Sequence, residues 1–178
     1  MNTRGELKIL FTGTVGAGKT TAIAAVSDIP PMSTDVRNND PTVAKALTTV
    51  GMDYGELALG NGEVLRLYGT PGQERYSFMW SILVNGALGL VILIDNSRPE
   101  PLADLDLYLN GFSKFIAESP CVVGICRMET HPSPDVDAFA QRLEVANARC
   151  PVIAVDVRDR DQVVAMLDLL LVQMESQE

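Results

Sequence analysis

A chain of 178 residues suits one domain, 1–178, able to bury roughly two thirds of the surface its unfolded form exposes. The net charge of −9 excludes the basic face that non-specific nucleic-acid binding requires. No apolar run reaches the roughly 18 residues of a membrane span, and MNTRGELKILF lacks a signal peptide's apolar core. Asn2 and the terminal Ser-Gln-Glu fit neither myristoyl nor prenyl motifs, so a cytoplasmic protein without a lipid anchor is expected.

Leu7 to Thr12 (LKILFT) reads as a first strand, and Thr20 to Ser27 as the helix after it. From Ser27 to Thr49 the chain reads as irregular, with Pro30, Pro31, Pro41 and Asn38-Asn39-Asp40, and connections that long are usually functional. Gly51 to Leu59 and Glu63 to Tyr68 flank Gly60-Asn61-Gly62 and predict an antiparallel hairpin. A helix is expected over about Arg75 to Asn85. Leu88 to Ile94 is apolar without alternation, which suits a central parallel strand buried on both faces.

Leu102, Leu105, Leu109, Phe112 and Ile116 recur at helical spacing, and Cys121 to Cys126 (CVVGIC) is another buried strand. Val136, Phe139, Ala140 and Leu143 mark the next helix, Val152 to Val155 the last strand, and Asp161 to Met174 the last helix. Alternating strands and helices predict an α/β protein with a mostly parallel sheet. Cys121, Cys126 and Cys150 lie at no zinc-like spacing and, with one histidine in the chain, read as reduced, mostly buried thiols.

Gly13-Thr14-Val15-Gly16-Ala17-Gly18-Lys19-Thr20 satisfies G-x-x-x-x-G-K-[ST] at every position, between a predicted strand and a predicted helix. The glycines let backbone N–H groups converge on a phosphate. Lys19 is placed to neutralise β- and γ-phosphate oxygens, Thr20 to bind Mg²⁺, and Thr21 to extend the phosphate contacts. The motif predicts a nucleoside-triphosphate binder.

Downstream lies Leu67-Tyr68-Gly69-Thr70-Pro71-Gly72-Gln73-Glu74-Arg75, and upstream of it Thr49-Val50-Gly51-Met52. These segments resemble switch II (D-x-x-G-Q, with Glu-Arg in the Rab branch) and the Thr-Val-Gly-Phe of Arf proteins. The chain as a whole is similar to prokaryotic Ras-like small GTPases, notably the gliding-motility (MglA-like) group. The resemblance implies a P-loop NTPase sheet of order 2-3-1-4-5-6 in the six predicted strands, with one antiparallel edge strand. It assigns Thr49 to Mg²⁺ and the γ-phosphate, with Thr48 competing, the Gly72 N–H to the γ-phosphate, and Gln73 to the attacking water. It implies GTP/GDP and Mg²⁺ as ligands, a nucleotide-dependent effector, and a roadblock-fold activator. Met52, Tyr54, Tyr76, Phe78, Met79 and Trp80 are candidate docking residues.

Two positions depart from the pattern. Gly69 stands where the family holds Mg²⁺ through an aspartate; Asp95, which ends a Walker-B-like strand, is a candidate replacement or else merely opens its loop. The guanine-reading N-K-x-D is here Cys126-Arg127-Met128-Glu129. Glu129 keeps a carboxylate for guanine N1 and N2, and Arg127 is able to lie across the base, braced by Asp95. A backbone N–H at Val157 is placed to read guanine O6. A GTP-hydrolysing switch, a weakly hydrolysing nucleotide-binding scaffold and an ATP-binding protein or P-loop kinase all remain open.

Overall fold

The computed structural model describes residues 7–37 and 49–176, with side chains for 7–32 and 52–176. Seven strands form one sheet in the order β2-β3-β4-β1-β5-β6-β7. At its centre are β1 (Leu7–Gly13), β5 (Ala87–Asp95) and β6 (Cys121–Cys126), paired in parallel. β4 (Val64–Gly69) joins β1 in parallel, and β7 (Val152–Ala154) joins β6. The six expected strands thus appear in the order the resemblance implied.

The seventh corrects the reading of 27–49 as irregular. Met32–Arg37 forms β2, antiparallel to β3 (Thr49–Ala58), which is in turn antiparallel to β4. The strand running against the others is therefore one place in from the edge. Met32, Thr34 and Val36 alternate with polar residues, which was the available signal. Asn38-Asn39-Asp40 and Pro41 lie outside the described residues.

Unbroken apolar strands are explained by burial on both faces. Ile9, Phe11, Val91, Leu93 and Val122 pack with α1 (Lys19–Val26) and α6 (Arg160–Glu175). Leu10, Leu90, Ile92, Ile94, Val123 and Ile125 pack on the other face with α3 (Pro101–Gly111) and α5 (Val136–Val145). Adjacent residues of one strand thus serve opposite cores, as the strand's two-residue period demands.

The helix expected from Arg75 is shorter than predicted. Glu74–Met79 is a 3₁₀ turn, and α2 covers only Trp80–Leu83. The helix through Ile116 is divided at Phe112 into α3 and α4 (Ser113–Glu118). Trp80 is buried and stacks on Tyr108 and Phe112, with ring centroids 4.9 and 5.1 Å away. It belongs to the core, whereas Phe78 and Ile82 beside it are exposed.

Candidate functional site

The segment 13–20 joins β1 to the first turn of α1 at the carboxyl edge of the sheet, where ligands of parallel α/β sheets bind. Gly18 caps α1 at φ 103°, a left-handed conformation that costs a side chain dearly, and a Cβ there would lie 2.8 Å from Val157 Cγ2. Its lack of a side chain leaves the first-turn N–H groups uncovered, a partial positive charge suited to an anion. Within the loop, the buried Thr14 hydroxyl has no hydrogen-bond partner among the described residues.

Lys19 is buried and folds back on the loop, donating to Gly13 O at 2.6 Å and Thr14 O at 2.9 Å. Burial lowers its pKa to about 8 against the opposing pull of the Asp53 carboxylate. An ammonium buried on two carbonyls is incompletely compensated, and an anion supplies the countercharge it lacks.

Next to it, the Thr20 hydroxyl donates to Asp53 Oδ2 at 2.6 Å. Asp53 is buried in β3 directly across from Gly69 of β4. The sequence reading missed it; its signal was a carboxylate in the inward register of an alternating strand with Gly55 and Leu57. This hard-oxygen pair beside a phosphate loop fits Mg²⁺. The expected substitute, Asp95, is engaged elsewhere.

Asp95 ends β5, buried, and accepts from Ser97 N at 2.9 Å, Ser97 Oγ at 2.6 Å, and Arg127 Nη1. Burial pushes its carboxyl up, but the Ser97 bonds and the Arg127 guanidinium outweigh it and hold the pKa below the usual value. The second guanidinium nitrogen of Arg127 reaches Gly16 O at 3.3 Å. Arg127 has φ 63°, rare for a non-glycine residue, which turns the chain sharply at the end of β6. The predicted Arg127–Asp95 pair is therefore present, and it ties the β5 and β6 ends to the phosphate loop. Cys126 beside it is buried, and burial followed by the Asp95 charge pushes its thiol to about 12.

Gly16, Ala17, Gly18, Lys19, Thr20 and Thr21 line one side of a cleft of about 680 Å³. Arg127, Met128, Glu129 and the 154–158 segment line the other. Glu129 is exposed and makes no hydrogen bond or ion pair among the described residues. The 156–158 turn is braced: Asp156 N donates to Gln162 Oε1, while Arg158 N and its guanidinium donate to the Asp156 carboxylate. Arg158 holds Asp156 down to about 2. Val157 N, between them, has no acceptor among the described residues.

Gly13, Thr14 and Val15 lie beyond the cleft, where Gly72 packs on the loop. A Cβ on Gly72 would stand 2.8 Å from Val15 N and 2.9 Å from Lys19 Nζ. Gln73 is exposed, and its carbonyl accepts from Tyr76 N at 3.0 Å. Thr49 opens β3 opposite Arg37; its side chain and all of Thr48 fall outside the described residues.

No protein-family model matches the chain. It is 30% identical over 112 residues to the Ras-related protein Rab-18 of Lymnaea stagnalis, covering 61% of this chain and 50% of that protein. It is 26% identical over 119 residues to Rab-18-B of Danio rerio, covering 65% and 53%. An uncharacterized protein of Methanocaldococcus jannaschii, MJ1339, is 27% identical over 95 residues, covering 53% and 54%. The chain spans about half the length of these curated relatives. The distant Rab similarities support a relationship to Ras-like small GTPases, and the sheet has the order of that fold. No helix among the described residues is long and apolar enough to cross a membrane.

Proposed function

We propose that the chain binds GTP and GDP at this cleft and works as a slowly hydrolysing switch of the prokaryotic, MglA-like kind. One observation carries the reading: the far wall of the phosphate-loop cleft presents a carboxylate and a backbone N–H, at Glu129 and Val157, neither hydrogen-bonded among the described residues. Guanine offers two N–H donors at N1 and N2 and one acceptor at O6, the complement of that pair. Adenine offers no acceptor at that position, so Val157 N–H would stay unmet beside it, at a cost of about 1–3 kcal/mol.

The residues divide the work. Main-chain N–H groups from Gly16 to Thr21 and the Lys19 ammonium receive the phosphates. Thr20, Thr49 and Asp53 would hold Mg²⁺, which supplies charge neutralisation on β- and γ-oxygens. Gly72 N–H meets the γ-phosphate, and Gln73 orients the attacking water. Gln73 is exposed and its side chain makes no hydrogen bond among the described residues. Turnover by the chain alone is then slow, on the order of 10⁻³ s⁻¹ or below, and a partner that orders Gln73 accelerates it. Exposed Phe78 and Ile82, next to that segment, suit an effector or a roadblock-fold activator.

Parallel titrations of GTP, GDP and ATP, with single-turnover hydrolysis on the same samples, test the reading. Glu129→Ala is expected to weaken GTP by roughly tenfold or more and leave ATP in place, erasing the discrimination. An unchanged GTP-to-ATP ratio removes Glu129 as the base reader. Preference for ATP in the unaltered protein turns the assignment toward the scaffold or kinase readings.

A further inference from the structure

Cys121 opens β6, and Cys150 lies just ahead of β7. The parallel register pairs Val123 with Val152, and Val123 N donates to Pro151 O at 2.9 Å. Carried back by one period of the strand, that register sets Cys121 beside Cys150 on the same face. Both thiols are buried in the core beneath α3 and α5. Cys126 lies an odd number of residues along β6 from Cys121 and packs in the opposite core. All three cysteines are free thiols, and among them Cys121 and Cys150 are the pair that meets.

We infer that Cys121 and Cys150 form a peroxide-responsive dithiol that closes to a disulfide and clips the edge strand β7 to β6. The pair lies at the amino end of the sheet, away from the nucleotide cleft, and works alike whichever nucleotide binds. Neighbouring strands lie about 4.8 Å apart, within the roughly 4.4–6.8 Å that a disulfide spans between Cα atoms. The Cβ atoms must close to about 3.8 Å, nearer than parallel side chains on paired strands stand. Cys150 is placed to make that step. Residues 148–151 have no regular structure and follow Asn147 at φ 53°. They lead into a strand of 3 residues that pairs with β6 alone among the described strands. Strain left in the bond keeps it reducible.

The Cys121 S–H donates to the Cys150 sulfur, which lowers the Cys150 pKa against the opposing effect of burial. The same bond, and then burial, raises that of Cys121. Cys150, 9% exposed against 2% for Cys121, is thus the attacking thiolate. It attacks one oxygen of hydrogen peroxide, the O–O bond breaks, and Cys150 becomes a sulfenic acid. The hydroxide released takes up the proton that Cys150 lost on ionising. The Cys121 sulfur then attacks the sulfenic sulfur: an S–S bond forms, the S–O bond breaks, and the Cys121 proton leaves with the departing hydroxide as water. Two thiols are oxidised, and one peroxide is reduced to two waters.

Peroxide treatment of the folded chain, alkylation of the remaining thiols in denaturant, and tryptic mass mapping test the pair. A species joining 115–127 to 150–158 is expected, lighter than the two peptides by two hydrogens. Fragmentation should place the bridge on Cys121 and find Cys126 alkylated. Cys121→Ala should stop Cys150 at the sulfenic acid, captured by dimedone, and Cys150→Ala should leave Cys121 unoxidised. Thermal melts establish that both variants are folded, and the linked species is read on the unaltered chain. Amide exchange across 150–155 should slow roughly tenfold or more on oxidation and recover with dithiothreitol. A bridge through Cys126, oxidation of Cys121 in Cys150→Ala, or three alkylated cysteines after peroxide overturns the dithiol. Exchange across 150–155 unmoved by a bridge that has formed overturns the clip.

Discussion

Lys19 is the residue on which charge and fold are most tightly coupled. Its pKa in the structure is about 8, against an ordinary value of 10.5, because burial outweighs the attraction of Asp53. Below pH 8 the folded chain bears the whole cost of burying an ammonium, roughly 3 kcal/mol, and that cost is relieved as pH rises from 8 to 10.5. The nucleotide-free protein therefore gains stability through that window. Triphosphate binding runs the other way, since it needs the charged form: affinity is full below pH 8 and falls above it. Above pH 8, binding should therefore take up protons, read by calorimetry in two buffers of different ionisation enthalpy. Zero uptake there sinks the assignment, and Lys19→Met should remove both the uptake and tight binding.

Between elements, the tie from β5 through Asp95 and Arg127 to Gly16 joins three strand ends around one cleft. Asp95→Ala leaves the guanidinium without its brace and Ser97 without its acceptor, at a cost of about 1–3 kcal/mol in stability. Nothing in this tie touches the base-reading groups, so GTP and ATP should weaken alike in titrations. A loss confined to GTP would make Arg127 a base reader. This pair was legible in the sequence because strand order alone brings the ends of β5 and β6 side by side. Asp53 was not, because its role depends on β3–β4 register, which a hairpin loop of uncertain length leaves open by a residue or two. β2 was hidden for a related reason: Pro30 and Pro31 signalled irregularity, while the pairing partner that makes 32–37 a strand lies on β3. Trp80 looked like a docking aromatic until Gly111, with no side chain, was seen to admit its ring against α3: a Cβ there would lie 2.6 Å from Trp80 Cζ3.

At the scale of the molecule the two ends of the site differ. The base and first-phosphate side is an open cleft, while at the far end Gly72 lies against Val15 and Lys19. On the proposed reading, a terminal phosphate paired with Lys19 would occupy the space that Gly72 borders. On that reading GTP would shift 70–73, and the elements either side determine how far the shift spreads. Glu74–Met79 is a 3₁₀ turn without a buried residue, so it yields at small cost. Trp80 is locked between Tyr108 and Phe112, so the movement should stop there. Hydrogen exchange is expected to differ between the GDP complex and a non-hydrolysable GTP complex across 70–79, and to match across 80–116. Trypsin cleavage after Arg75 should change in rate between the two while cleavage after Arg142 does not. Exchange that differs equally in α3 would mean the Trp80 stack is not the boundary, and identical exchange across 70–79 would leave the chain a nucleotide binder without a switch.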